Sequence, residues 1–185
     1  MSLRWRPAGH INRRSLPASI RELLLESGSL TQQLEFRCPG KFNLEFCGQS
    51  WQRPLFDEAR VLALPAGAYA LIREIYLKCD QHPWVYGRSI IPSGTFTGAE
   101  RRLAHWGQRS LGDYLFSERK AWRGHIEIAK LLPQDRLFQL AVKDRHIKDP
   151  ELWGRRSMFY IKDKPLLVVE IFLADVIQCM NAGKN

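Results

Sequence analysis

Two charged side chains interrupt the apolar faces of stretches that the sequence predicts to be β-strands. Between residues 71 and 79 every second residue is apolar except Arg73, and between residues 166 and 174 the same alternation is broken by Glu170. A charge that points into an apolar core is costly unless it is paired or contacts a ligand. The pattern therefore makes Arg73 and Glu170 candidates for a ligand site. Alternatively, they pair with each other or with neighbours, or they lie on a solvated face.

The position of a third charged residue, Arg88, depends on how the first predicted hairpin closes. Residues 70–79 and 84–91 are predicted as antiparallel strands joined by a turn. A turn of two or four residues places Arg88 opposite Ile75, on the same face as Arg73, whereas an odd length places it on the other face. Two guanidinium groups facing one pocket suit a ligand with two carboxylates, because each can form a bidentate pair.

A second predicted hairpin carries two more arginines next to Glu170. Its strands are residues 152–161 and 165–173, joined by a short polar turn whose length the sequence leaves open. The register is therefore open as well, and either Arg155 or Arg156 accompanies Glu170 on its face.

The remaining segments predict the elements that hold these strands. Helices are expected at residues 20–27, 29–36 (with Ser29 or Thr31 as N-cap), 97–106 and 112–119, further strands at 41–49 and 122–128, and a loop at 52–67. Antiparallel hairpins with helices between them predict an α+β fold, with a mostly antiparallel sheet and helices on one face. The length of 185 residues suits one domain.

The net positive charge favours an anionic partner but does not by itself select among nucleic acids, membranes and small anions. The formal net charge is +9, and the basic residues are dispersed apart from a basic N-terminal segment within residues 1–28. Because no helix-turn-helix, zinc-finger or RNA-recognition signature accompanies them, we expect no nucleic-acid binding. The longest apolar run, residues 165–177, is too short and too charged for stable membrane insertion. A small anionic substrate fits these observations.

The cysteines and histidines predict neither a metal site nor a disulfide. The four cysteines lack the C-x-x-C spacing of zinc or redox sites, and the five histidines share no metal-ligand spacing. We therefore expect reduced thiols, no metal and a cytoplasmic protein.

At the two hairpins the sequence resembles the bacterial chorismate pyruvate-lyase family. Six stretches occur in the family's order: LIREIYLKCD (71–80), PWVYGRSIIP (83–92), SLGDYLF (110–116), HIEI (125–128), LWGRRS (152–157) and KPLLVVEIFL (164–173). The resemblance implies a single domain over residues 1–185, in which helical flaps close over an internal ligand site. Residues 131–150 are longer than is usual in the family and are interpreted as an insertion.

The resemblance also implies roles for individual residues. Arg73 corresponds to the family's ligand-binding arginine and Glu170 to its carboxylate. The backbone amides that grip the ligand's carboxylate correspond to Leu30, which replaces a methionine, and Leu111 on the two flaps. Arg88 is expected to bind the enolpyruvyl carboxylate, together with either Arg155 or Arg156.

The implied activity is a lyase reaction that needs no cofactor. Chorismate is converted to 4-hydroxybenzoate and pyruvate, the first committed step of ubiquinone biosynthesis, by a protein expected to be a monomer. Glu170 either accepts the ring proton or only positions the substrate. The alternative is a non-catalytic small-molecule effector-binding domain of the same fold.

Overall fold

A computed structural model describes residues 3–96, 111–112, 115, 121–143 and 150–182. The strands are β1 (Arg6–Pro7), β2 (Phe42–Gln52), β3 (Ala70–Cys79), β4 (His82–Pro92), β5 (Ala121–Leu131), β6 (Leu152–Ile161) and β7 (Lys164–Phe172). They form one antiparallel sheet in the order β1-β5-β6-β7-β4-β3-β2. The two predicted hairpins are thus adjacent at the centre of the sheet, and the predicted α+β class is confirmed.

Five α-helices have both ends within the described residues, and residues 111, 112 and 115 belong to a further helical segment. The five helices are α1 (Arg21–Leu25), α2 (Leu30–Arg37), α3 (Phe56–Val61), α4 (Arg136–Ala141) and α5 (Ala174–Ala182). Ser29 is the N-cap of α2, and its hydroxyl accepts a hydrogen bond from the Gln32 amide at 3.3 Å. The helix predicted at 97–106 lies outside the described residues, as does most of the one predicted at 112–119.

The loop predicted at residues 52–67 is wrong in part, because α3 forms within it. The carboxylate of Glu58 accepts a hydrogen bond from the Leu55 amide at 2.8 Å, which satisfies a backbone donor at the start of the helix. Acidic residues in a first helical turn also favour the helix dipole. The proline-punctuated polar composition concealed this short helix.

The helices lie on both faces of the sheet, whereas the sequence analysis placed them on one. On one face α3 and α4 pack against residues such as Ile72 and Ile171. On the other face α1 and α2 pack against residues such as Leu77 and Phe172. The central strands carry apolar residues on both faces, and each apolar face needs a covering layer.

The first hairpin closes through a two-residue turn followed by a bulge. Cys79 pairs with His82, but Leu77 pairs with Val85, so that Trp84 has no partner of its own in the ladder. Because of this extra residue, the later residues of β4 point to the opposite face from the one that an unbroken register would give them. The bulge overturns the predicted pairing of Arg88 with Ile75.

The structure shows the register of the second hairpin, which the sequence left open. Its turn consists of Lys162 and Asp163, both with positive φ (48° and 65°), as two-residue hairpin turns of this kind require. Arg155 lies directly opposite Glu170, and Arg156 is on the other face.

Cys38 and Cys79 form a disulfide, with their Cα atoms 5.6 Å apart. The expectation of reduced thiols is wrong for this pair, while Cys47 and Cys179 are free. Cys38 directly follows α2, and Phe42 begins β2 opposite Cys79. The strand pairing brings the two sulfurs together across 41 residues of sequence, a separation that carries no signal by itself.

The described part of the segment interpreted as an insertion belongs to the core. Leu137, Phe138 and Ala141 of α4 are buried against the sheet, and the Tyr76 hydroxyl donates a hydrogen bond to the Ala141 carbonyl at 3.0 Å. None of the described helices combines the length and apolar character that crossing a bilayer requires.

Candidate active site

A cavity lies between the face of the sheet that carries Arg73 and the start of α2. We call it the arginine cavity, because its described lining includes Arg73, Arg123 and Arg155 beside a single carboxylate, Glu170. The other lining residues are apolar or small: Leu30, Thr31, Ile75, Leu77, Val85, Gly87, Ser89, Leu111, Gly112, Leu115, Phe159 and Val168. The structure thus brings both interrupting charges to one cavity.

Two rows of residues across the central strands form the floor of the cavity. Across β3, β4, β7 and β6, one row is Ile75, Gly87, Glu170 and Arg155, and the next is Arg73, Ser89, Val168 and Ser157. A Cβ atom at Gly87 would come within 2.9 Å of the Ile75 side chain. The absence of a side chain at Gly87 therefore keeps the floor open between Ile75 and Glu170.

Arg73 is a buried cation on one side of this floor. The residue is 1% exposed, and its guanidinium lies 5.7 Å from the ring centroid of Phe46. Burial lowers the pKa of Arg73 to about 10. The side chain is still charged at neutral pH, so it can attract an anionic group into the cavity.

Glu170 is held by Arg155 and not by Arg73. The Arg155 Nε donates to Glu170 Oε2 at 2.5 Å, and its Nη1 donates to the Leu23 and Glu26 carbonyls at 2.8 and 2.7 Å. Arg155 therefore connects the carboxylate to the end of α1. Because a fork of donors fixes several acceptors at once, Glu170 has a defined orientation on the floor.

Arg123 is a site residue that the sequence analysis missed. Its Nε donates to Ser157 Oγ at 2.9 Å, and its Nη1 donates to the Glu26 and Ser27 carbonyls, both at 3.1 Å. Burial first, and then the charge of Arg155, lower the pKa of Arg123 to about 10.

A bulge in β5 explains why alternation concealed Arg123. Arg123 pairs with Phe159, but Ile126 pairs with Ser157, so three steps along β5 match two along β6. Counting every second residue back from Ile126 assigns Arg123 to the wrong face. The usable signal was the glycine at position 124, because glycine within a strand often marks a bulge.

The start of α2 contributes to the cavity through Leu30 and Thr31, and a second helical segment contributes through Leu111. Leu30 is 2% exposed and Leu111 is 5% exposed. Ser29 caps the Gln32 amide, so the amides of Leu30 and Thr31 are first-turn donors of α2, where the helix dipole favours an anion. Both flap positions implied by the resemblance thus line the cavity.

Arg88 and Arg156 lie on the opposite face of the sheet. Arg88 donates to Glu58 and Glu74, both at 2.8 Å, and these contacts raise its pKa although burial opposes the shift. Arg156 donates to Glu127 at 2.7 Å. The tentative assignment of Arg88 to the ligand site is corrected by the bulge at Trp84.

The arrangement can bind an anionic ring and move a proton. The floor between Arg73 and Glu170 carries mostly apolar or small side chains, a carboxylate can be held by Arg73 and the first-turn amides, and Glu170 is an acceptor for a proton or a hydroxyl. In the described part of the chain, no group of three or more histidines, cysteines and carboxylates could hold a metal ion.

Comparisons with known proteins show to which family the chain belongs. Residues 2–180 match the family model described as chorismate lyase. A protein named probable chorismate pyruvate-lyase from Methylococcus capsulatus is 41% identical over 83% of this chain and 94% of its own length. A protein with the same name from Nitrosomonas europaea is 36% identical over 92% of this chain and 93% of its own length.

Two solved structures share the fold of this chain. The effector domain of PhnF from Mycobacterium smegmatis aligns with a TM-score of 0.53 at 18% identity, covering 80% of this chain and 90% of that domain. The C-terminal domain of Yurk from Bacillus subtilis aligns with a TM-score of 0.52 at 15% identity, covering 71% and 89%. At such identities the likeness shows a common fold.

Proposed function

The chain belongs to the chorismate lyase family, and from this premise we propose that it converts chorismate into 4-hydroxybenzoate and pyruvate. The observation that carries the proposal is the joint placement of Arg73 and Glu170 on one apolar floor. The ubiquinone pathway and a monomeric state remain predictions, and so does the cytoplasmic location expected from the sequence.

Arg73 anchors the ring carboxylate of chorismate in the proposed complex. The first-turn amides of α2 near Leu30, and the Leu111 segment on the other side, complete the anion site. The ring then lies over Gly87, where the floor has no side chain to obstruct it. Glu170, whose orientation Arg155 fixes, meets the far end of the ring, where chorismate carries its hydroxyl group.

The reaction breaks one bond to oxygen and one to hydrogen. The ring carbon that bears the hydroxyl loses its proton, and that electron pair completes the aromatic ring. The adjacent ether bond breaks, its electrons leave with the oxygen of enolpyruvate, and protonation of enolpyruvate gives pyruvate. Aromatisation supplies the driving force, so holding the substrate in a reactive orientation accounts for much of the catalysis.

The proton has two routes in this cavity. Glu170 accepts it as a general base, or it passes within the substrate to the enolpyruvyl group while Glu170 positions the hydroxyl. Both routes use the same ion pair with Arg155, and substitution of Glu170 distinguishes them.

A test of the activity is direct. Purified protein is incubated with chorismate, 4-hydroxybenzoate is followed by absorbance, and pyruvate is measured with a coupled dehydrogenase. We expect both products in equal amounts, and an Arg73→Ala variant prepared in parallel should show a large loss. Formation of neither product by the folded protein would overturn the proposal.

A binding-only function is the second candidate, because the fold is shared with effector domains. In that case Arg73 and Glu170 are specificity contacts for a small carboxylate. Saturable binding of 4-hydroxybenzoate, without any turnover of chorismate, would favour this candidate.

A further inference from the structure

We infer that Arg123 binds the second carboxylate of chorismate, the one that departs with pyruvate. This inference rests on the proposed function and adds a residue that sets the preference for a dianionic substrate over a monoanionic product. It concerns a side chain whose face the bulge in β5 conceals from sequence alternation.

The described lining of the cavity is rich in cationic groups. It holds three guanidinium groups and one carboxylate, and Arg155 pairs with that carboxylate. Buried charges are costly unless an opposite charge offsets them. A ligand with two carboxylates brings a second anionic group to this lining, whereas 4-hydroxybenzoate brings one.

Arg123 differs from Arg155 in its hydrogen-bond partners. Arg155 is 1% exposed and already pairs with Glu170 at 2.5 Å. The described hydrogen bonds of Arg123 go to the Ser157 hydroxyl and to backbone carbonyls, all of which are neutral, and the carboxylates of Glu170 and Glu26 act on its charge without a hydrogen bond. These contacts use Nε and Nη1, so the guanidinium retains its charge and the donors on Nη2 for an anion.

Arg123 lies across the cavity from Arg73. Arg73 and Ser157 belong to the same row of the floor, three strand spacings apart, or about 14 Å between their Cα atoms. Arg123 is bonded to Ser157, so its guanidinium is at the opposite side of the cavity from the strand of Arg73. A ring lying between these sides, with one carboxylate on it and one on a side arm, reaches both arginines.

The same contacts define the main confounding effect. Arg123 also holds the Glu26 and Ser27 carbonyls, which precede α2. Its removal could therefore displace Leu30 and weaken every ligand. A displaced α2 affects substrate and product alike, whereas loss of a carboxylate contact affects only the ligand with two carboxylates.

The test compares ligands with one and two carboxylates on Arg123→Gln and Arg123→Lys. The probes are 4-hydroxybenzoate and 3-(carboxymethoxy)-4-hydroxybenzoate, a stable compound that carries a second carboxylate on a side arm. For Arg123→Gln we expect dicarboxylate affinity and chorismate kcat/KM to fall about 10- to 100-fold. Affinity for 4-hydroxybenzoate should change less than about threefold, and Arg123→Lys should recover part of the loss.

The control is Lys130→Gln, which removes one positive charge from an exposed position of the same strand. It should leave all three measurements unchanged. Equal losses for the two probes, or no loss for either, would overturn the inference. If the unmodified protein binds both probes with this dependence on Arg123 but does not turn over chorismate, the proposed function fails while the binding role stands.

Discussion

At the residue scale, the proposed roles in the arginine cavity are divided between Arg73, which holds the substrate, and Glu170, which meets the proton. Arg73 and Glu170 are on different strands, and Glu170 pairs with Arg155. A carboxylate that is oriented by one arginine remains available to a ligand through its other oxygen, since ionised carboxylates accept several hydrogen bonds. Substitutions at the two residues should therefore have different kinetic signatures.

Arg73→Ala should weaken the binding of chorismate and 4-hydroxybenzoate together. Both carry the ring carboxylate, so loss of its buried partner should raise KM and the product dissociation constant by about 10- to 100-fold. Isothermal titration with 4-hydroxybenzoate and steady-state kinetics measure the two effects. An unchanged product affinity in the folded variant would contradict the anchor role.

Glu170→Gln should distinguish the two routes of the proton. The amide keeps the shape and some hydrogen bonding but cannot act as a base, so general-base catalysis predicts a fall in kcat of roughly 10²- to 10⁴-fold with a small change in KM. An unchanged kcat would instead favour transfer within the substrate. Glu127→Gln, at a partner of Arg156 on the opposite face, serves as the control.

At the element scale, α2 is fixed at both ends by different chemistry. Ser29 caps the start of α2, and hydrogen bonds from Arg123 and Arg155 hold the chain just before it. The Cys38–Cys79 disulfide holds the end of α2. Leu30, which lines the cavity, is thus on a short helix whose position is restrained at both ends. Stability and ligand affinity should both depend on these restraints.

Reduction of the disulfide should lower the free energy of unfolding. Closing a loop of this length is worth up to about 4 kcal/mol in the chain-entropy model. Urea unfolding with and without dithiothreitol, and of Cys38→Ser, measures the loss. Cys47→Ser is the matched control, because Cys47 is exposed and free. Equal midpoints for oxidised and reduced protein would argue against a disulfide that forms in solution.

The elements themselves show what alternation along a strand can and cannot predict. The four central strands were predicted nearly to the residue, because their period of two is continuous and their ends are marked by turn residues. Arg88 was assigned to the wrong face and Arg123 was missed, because one bulge follows the turn into β4 and another interrupts β5. A bulge changes faces without changing composition, so only the pairing of strands reveals it.

The disulfide and the ion pair between Arg155 and Glu170 both depend on which strands lie side by side and in which register. The sequence offered both Arg155 and Arg156 as neighbours of Glu170, and the two-residue turn at Lys162 and Asp163 selects the first. Such contacts join residues that are distant along the chain, whereas periodicity describes only near neighbours. The family resemblance supplied Leu30 and Leu111, whose positions no local pattern indicates.

At the scale of the whole molecule, the cavity is covered from both sides. Leu30 on α2 and Leu111 on the second helical segment are both buried and both line the cavity. We therefore expect that these residues must be displaced before a ligand held between them and the sheet can leave. The restraints on α2 oppose that displacement, since Arg123 and Arg155 bind the chain that leads into it.

We therefore predict that release of 4-hydroxybenzoate limits turnover. The product keeps the ring carboxylate for Arg73 and the hydroxyl for Glu170, so it retains most of the contacts proposed for chorismate and should compete well with it. Rapid mixing of enzyme with excess chorismate should show a burst of about one product per active site before a slower steady state, and progress curves should bend early as product accumulates. A linear time course with no burst, at enzyme concentrations that would reveal one, would contradict this prediction and place the slow step in the chemistry.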